Sequence, residues 1–234
     1  MLGKKTKKDG ANRAVIAGGR AELYNLLVGI FGHLPDRNLV TKIKDNGLRD
    51  VLDSCSGLNN LGCQSGAEHI NAYQSNVQEK PDEEILTELS VDRTRILRET
   101  GQTSLKPPYE GLYINVKNTG ASLLQVKAFY RKAGLLPDES VHESPDYLCV
   151  ELDFMKNLCL REQSQWTSDG DAFETVLHEK NFLKEHLGCW VGEFCSEAEK
   201  VVLTDFYRGF LAILDAVVSM DMVYINKLAR TRKA

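Results

Sequence analysis

The feature that most constrains this chain is an apolar repeat of about 3.6 residues that runs almost from end to end. Leu23, Leu26, Leu27, Ile30, Phe31 and Leu34 make one stripe on one helix, and Pro35-Asp36 stops it. Leu48, Val51, Leu52 and Cys55 repeat the pattern after Gly47. Residues 56–66, SGLNNLGCQSG, read as a loop or short turn because Gly, Asn and Ser favour non-helical backbone. Ile70, Tyr73 and Val77 mark the next helix. Pro81 followed by Asp82, Glu83 and Glu84 suits a further helix start, carrying Ile85, Leu86 and Leu89 and running on to Leu97.

Two successive prolines, Pro107 and Pro108, place residues 101–108 in a loop. Leu123, Leu124, Val126, Phe129, Tyr130 and Ala133 predict a helix closed by Gly134, and residues 135–145 a second long connection. Leu148, Leu152, Met155, Cys159 and Glu162 share one helical side, and Phe173 to Phe194 hold one or two more helices. Ser196 with Glu199 has the spacing of a capping box. It precedes the most apolar stretch, Leu203 to Val218, expected as the central core helix. Only Leu112–Val116 (LYINV) carries a strand signal. The fold class predicted is all-α, a single globular bundle of about ten helices spanning residues 13–226, with flexible basic tails at 1–12 and 227–234.

Several function classes lose support. The net charge of −4 gives no basic surface for nucleic acid, and the N-terminal lysines read as a solvated tail. The apolar stretch from Phe206 to Ile225 is interrupted by Arg208, Asp215 and Asp221, so no membrane insertion is expected. No h-region follows the N-terminal lysines, and a cytoplasmic location is expected. The six cysteines form no C-x-x-C pair and read as buried reduced thiols; His186, Cys189 and Cys195 match no zinc spacing. His178 and His186 read as structural. Phosphate loops and nucleophile elbows are absent from the sequence, so no enzyme activity, metal or cofactor is expected.

Two segments are chemically distinctive. From Ala133 to Met155 there is no Lys or Arg, while Asp138, Glu139, Glu143, Asp146, Glu151 and Asp153 all fall there. Such a field attracts a guanidinium, which pairs with carboxylates in bidentate fashion; it equally suits a solvated loop ahead of an acid-rich helix start. In Pro107-Pro108-Tyr109 a stiff, amphipathic segment either packs Tyr109 and Tyr113 on the core or forms one wall of a peptide groove.

These segments carry a resemblance. P-P-Y-E-x-x-Y (107–113), F-Y-R-x-A-G-L (129–135), E-S-P-D-Y-L-x-x-E-L-D-F-M-x-x-L (143–158) and H-L-x-x-W-V (186–191) resemble the TorD/DmsD/NarJ family of redox-enzyme maturation chaperones. R-A-E-L-Y-N-L-L-x-x-I-F (20–31) and V-D-R-T-R-I-L (91–97) do so as well. The resemblance implies an all-helical chaperone that binds the twin-arginine signal peptide of a molybdenum-cofactor oxidoreductase and holds it back from export until the cofactor is inserted. It carries Glu143, Pro145 and Asp146 over from the family's hinge motif, which here reads E-S-P-D-Y, with Tyr147 where the family usually has histidine. Tyr109, Glu110 and Tyr113 carry over from the P-P-Y-E block.

On that footing Glu143, Asp146 and Glu151 are expected to meet the arginines, and Tyr109, Tyr113, Tyr147 and Leu148 to line an apolar groove beside Pro107 and Pro108. Partners are then the signal peptide and body of a catalytic subunit, with a homodimer left open. Two other readings stand beside it: a helical GTP-binding protein, and an assembly chaperone for a subunit without an export signal.

Overall fold

The structure, a computed structural model, describes residues 2–98, 104–137, 142–168 and 170–231, with side chains other than those of 2–8, 51 and 56. Among the described residues there are eleven α-helices and one 3-10 turn. They are α1 (Leu2–Gly32), α2 (Arg37–Lys44), α3 (Arg49–Gly57), α4 (Leu61–Asn76), α5 (Asp82–Leu97), α6 (Glu110–Ile114), α7 (Thr119–Ala133), α8 (Leu148–Thr167), α9 (Phe173–Glu185), a 3-10 turn (Leu187–Cys189), α10 (Val191–Glu199) and α11 (Asp205–Arg230). The all-α class follows as the apolar period requires. The backbone is helical from Leu2 and as far as Arg230, inside both segments expected as tails.

The contacts divide the chain into two compact units. The first comprises Met1–Val28, Tyr109–Trp190 and Val218–Ala234; the second comprises Gly29–Pro108 and Val191–Val217.

In the first unit α7, α8 and α9 share an aromatic core. Tyr130 and Phe154 stand 4.4 Å apart, Phe154 and Phe182 4.6 Å, and Phe129 and Phe182 5.4 Å. Burial of each such ring contributes on the order of 1.5–3 kcal/mol. Gly134 ends α7 in the left-handed region at φ 65°, as its position in the sequence predicts. Arg161 reaches back from α8 to the freed carbonyls of Ala133 (2.7 Å) and Gly134 (3.3 Å).

In the second unit side chains close the helix ends. Asp36 accepts from Leu39 N–H at 2.8 Å, and Asn60 from Gly62 and Cys63 N–H at 2.9 and 3.1 Å. Asn60 explains why the loop expected over 56–66 is confined to a few residues before α4. Its glycines are helical, and Gly62 and Gly66 serve close packing: a Cβ on Gly66 would lie 2.6 Å from the Gly209 carbonyl oxygen of α11. The V-D-R motif is structural. Buried Asp92 accepts from Leu203 N–H, Thr204 N–H and the Thr204 hydroxyl (2.9, 2.8 and 2.6 Å), fixing the start of α11. Arg93 donates to Phe31 C=O at 2.6 Å, closing the end of α1.

Other expectations are corrected. Ser196 and Glu199 lie in α10, whereas Thr204 caps α11 through Tyr207 N–H at 3.3 Å. LYINV is no strand: Leu112–Ile114 belong to α6. Two helical segments, Asp9–Gly32 and Asp205–Arg230, are long and apolar enough to cross a membrane, and about half of each is buried within the fold. Five of the six cysteines are buried thiols, and Cys189, the last residue of the 3-10 turn, is an exposed one.

Candidate functional site

The site is built where the segment after Pro108 meets the segment before α8, within the first unit. Glu110 N–H donates to Asp146 C=O at 2.9 Å, and Tyr109 and Tyr147 form an antiparallel bridge. Their rings lie 5.1 Å apart. The turn itself is tied by Tyr147 N–H to Ser144 C=O (2.9 Å), by the Tyr130 hydroxyl to Pro145 C=O (2.9 Å), and by the Ser144 hydroxyl to Asp146 Oδ1 (2.5 Å). The Tyr109 hydroxyl reaches Glu143 at 3.4 Å. Every hinge residue is thus held by a backbone or side-chain bond, so the segment has a defined shape.

Against this junction lies a cleft of about 300 Å³, lined by Tyr109, Gly111, Leu112, Thr119, Gly120, Leu123, Ser144 and Asp146. Gly111 allows α6 to approach α7: a Cβ there would sit 3.0 Å from Thr119. The same two helices and their connection expose Ile114, Val116 and Leu124. The cleft therefore combines apolar walls, small residues and an acidic hinge.

Beneath it is a buried polar network. Glu110, 1% exposed, faces His186 Nδ1 through Oε2 at 3.0 Å. Glu151, 0% exposed, accepts from Trp190 Nε1 at 3.2 Å, and Trp190 stacks on Tyr113 at 5.4 Å. Burial pushes the Glu151 carboxyl well above the usual carboxylate range, and the neighbouring Glu110 charge raises it further. Four of the sequence blocks meet here: P-P-Y-E supplies Glu110 and Tyr113, E-L-D-F-M supplies Glu151, H-L-x-x-W-V supplies His186 and Trp190, and F-Y-R supplies Phe129, whose ring is 5.3 Å from that of His186.

The expected site residues divide on this basis. Tyr109 and Asp146 line the cleft, with Glu143 and Pro145 in the same hinge turn. Glu151 is corrected as an arginine acceptor, since a fully buried acid has no face toward a ligand in solution. Tyr113, Tyr147 and Leu148 are core residues at 9%, 2% and 0% exposure rather than groove lining, and Glu110 is a buried support. Pro107 and Pro108 lie in the second unit and deliver the chain to Tyr109. Of the remaining acidic residues, Asp153 pairs with Lys156, and Asp138 and Glu139 lie outside the described residues. Leu112, Thr119, Gly120, Leu123 and Ser144 are cleft residues that the sequence reading missed; the helical period marked Leu123 only as core.

A second cavity of about 520 Å³ runs along α7 and α9, lined by Gln125, Ala128, Phe129, Lys132, Glu185 and His186. Among the described residues, no three His, Cys, Asp or Glu side chains group as metal ligands.

Residues 61–196 match the family described as nitrate reductase delta subunit. The chain is similar to the perchlorate reductase assembly chaperone protein of Dechloromonas aromatica (strain RCB), 32% identical over 116 residues, which is 49% of this chain and 51% of that one. It is similar to the chaperone protein TorD of Vibrio vulnificus (strain CMCP6), 22% identical over 209 residues, covering 88% and 94%. A chlorate reductase assembly chaperone protein of Ideonella dechloratans is 29% identical over 104 residues, covering 44% and 54%. The alignments thus span about half the length of the perchlorate and chlorate relatives and nearly all of TorD. No solved structure gives a significant match. The matched relatives are named as chaperones or assembly proteins, not as enzymes. The family match covers more than half of the chain and includes the whole Tyr109–Tyr147 junction with the acids beneath it, and the chain belongs to the nitrate reductase delta subunit family.

Proposed function

We propose that this protein is an assembly chaperone for the catalytic subunit of a molybdenum-dependent reductase, and that it captures that subunit's twin-arginine signal peptide in the cleft beside the hinge. The relatives' names support the coarser half of this reading, since they are reductase assembly chaperones. The observation that carries the finer half is the cleft itself, with apolar Leu112 and Leu123 on one side and Asp146 in a fixed acidic turn on the other.

A twin-arginine leader is cationic, then apolar. Its apolar segment would pack on Leu112, Leu123 and the exposed Ile114, Val116 and Leu124, where burial of side chains supplies most of the affinity. Its guanidinium groups would meet Glu143 and Asp146. A pair at half-buried Glu143 would be worth only about 0.2–1 kcal/mol, and one at buried Asp146 must offset its desolvation, so the acids select the ligand more than they hold it. Occupying the leader in the cytoplasm delays export until the cofactor has been inserted. The chain's own residues bind and orient; no bond is made or broken.

Calorimetry tests this reading. The client's leader should bind, and its Arg-Arg→Lys-Lys version should bind several-fold more weakly, because Lys cannot reproduce bidentate pairing. Equal affinity for both peptides removes arginine recognition; binding of the mature subunit alone, with none of the leader, favours a chaperone for a client without an export signal.

A further inference from the structure

The first unit also contains an ionic cluster that the cleft does not use. Arg20 of α1 is buried among three carboxylates from three other helices. Its Nε and Nη2 donate to Asp221 of α11 at 2.5 and 3.0 Å, Nη1 to Glu162 of α8 at 2.6 Å, and Nη2 to Glu179 of α9 at 2.5 Å. The relative exposures are 8% for Arg20, 4% for Asp221 and 0% for both glutamates. With every acid ionised, one positive charge would face three negative ones in a dry core. That imbalance is far costlier than protonating one acid.

The hydrogen bonds identify which acid carries the proton. Both oxygens of Glu162 are engaged, Oε2 by Arg20 and Oε1 by Trp166 Nε1 at 2.9 Å. Both oxygens of Asp221 are engaged, with the Tyr24 hydroxyl donating to Oδ2 at 2.8 Å. Glu179 Oε1 is buried and has no partner. A bare anionic oxygen there would bear the full desolvation penalty, whereas an un-ionised carboxyl places its O–H on that atom. We propose that Glu179 is held as a neutral carboxylic acid, which makes the α1–α8–α9–α11 junction a latch that alkali loosens.

The other groups facing the cluster fit this assignment. From α1 they are Arg20 and Tyr24; from α8 Cys159, Glu162 and Trp166; from α11 Asp221 and Tyr224, whose ring lies 5.3 Å from the Arg20 guanidinium. Burial is the largest influence on Glu179 and raises its pKa. The Arg20 charge lowers it, Glu162 and Asp221 raise it again, and the balance is a value pushed up to about 8. The folded chain therefore keeps a proton that the unfolded chain releases near the ordinary glutamate value of about 4.5. This group's stabilising contribution is complete below that value and is lost as the pH rises through about 8. The inference is independent of what the cleft binds.

The test compares the wild-type chain with Glu179→Gln, which keeps an acceptor for Arg20 but cannot ionise. Urea unfolding is followed between about pH 5 and about pH 9, a span that starts just above the unfolded value and passes the folded one. Relative to the variant, the wild-type unfolding constant should rise at least ~10-fold across that span. An unchanged ratio overturns the proposal. Should Glu179→Gln fail to fold, the assigned Glu179 side-chain carboxyl carbon in the wild-type NMR spectrum decides the matter. A titration midpoint above about pH 7 supports the latch, and a midpoint in the ordinary glutamate range overturns it.

Discussion

Replacing Glu110 separates a supporting role from a ligand-contacting one. Its carboxyl faces two buried groups, His186 Nδ1 at 3.0 Å and Glu151, whose carboxyl is pushed above the ordinary range by burial and then by the Glu110 charge. Glu110→Ala takes that partner from both, though Glu151 keeps the Trp190 Nε1 donor. Each abandoned polar group costs about 1–3 kcal/mol, so the variant should lose about 2–6 kcal/mol. That is a large fraction of a typical stability of about 5–15 kcal/mol. Glu110→Gln keeps an oxygen for the imidazole and offers its NH2 to Glu151, so it should lose only about 1–2 kcal/mol. The two differ in their pH dependence as well. Glu151 is raised mainly by burial and next by the Glu110 charge. Its stabilising contribution is present below the ordinary carboxylate range and is lost as the pH rises through its raised value. Removing the Glu110 charge lowers that value, so the Glu110→Gln deficit should shrink as the pH rises. Urea unfolding followed by far-UV circular dichroism at several pH values reads all three quantities. A Glu110→Ala variant as stable as the wild type, or a Gln variant as damaged as the Ala one, would refute the buried network as the support of the hinge.

Other outcomes follow from the same structure. Asp92→Asn should cost about 2–4 kcal/mol in urea unfolding, because an amide NH2 then replaces one of the two accepting oxygens and faces at least one donor at the start of α11. Gly66→Ala should cost about 1–3 kcal/mol by the same measure, since its Cβ would lie 2.6 Å from both the Gly209 carbonyl oxygen and Ile213 Cγ1. The Leu112→Ser/Leu123→Ser double variant should weaken leader binding by about tenfold in calorimetry while leaving the far-UV spectrum unchanged, as both side chains are only partly buried on the cleft wall.

Helix identity was legible wherever the cause is local. Gly134 closes α7 because its left-handed backbone needs no Cβ, and Pro35-Asp36 both stops one helix and caps the next. The reading of 56–66 went astray because glycine has two uses. Composition marks Gly62 and Gly66 as loop formers, but their role is set by Ala216 and Gly209, remote in sequence. Ser196 and Glu199 have capping-box spacing, yet Asp92, more than a hundred residues away, decides where α11 begins. The ionic cluster was illegible for the same reason: Arg20 is 142, 159 and 201 residues from its partners. For the site, the sequence blocks were visible and their division of labour was not. Hinge and core acids look alike in a string, and only packing separates Asp146, 6% exposed on a cleft wall, from Glu151, 0% exposed in the core.

The most direct trial of cleft capture is a methyl NMR titration of the intact chain with a twin-arginine leader peptide. Methyl signals of Leu112, Ile114, Val116, Leu123 and Leu124 should shift together and saturate, while those of the exposed Leu160, Leu177 and Val223 stay in place. Saturating shifts confined to the second group, with the cleft methyls unmoved, would contradict the account.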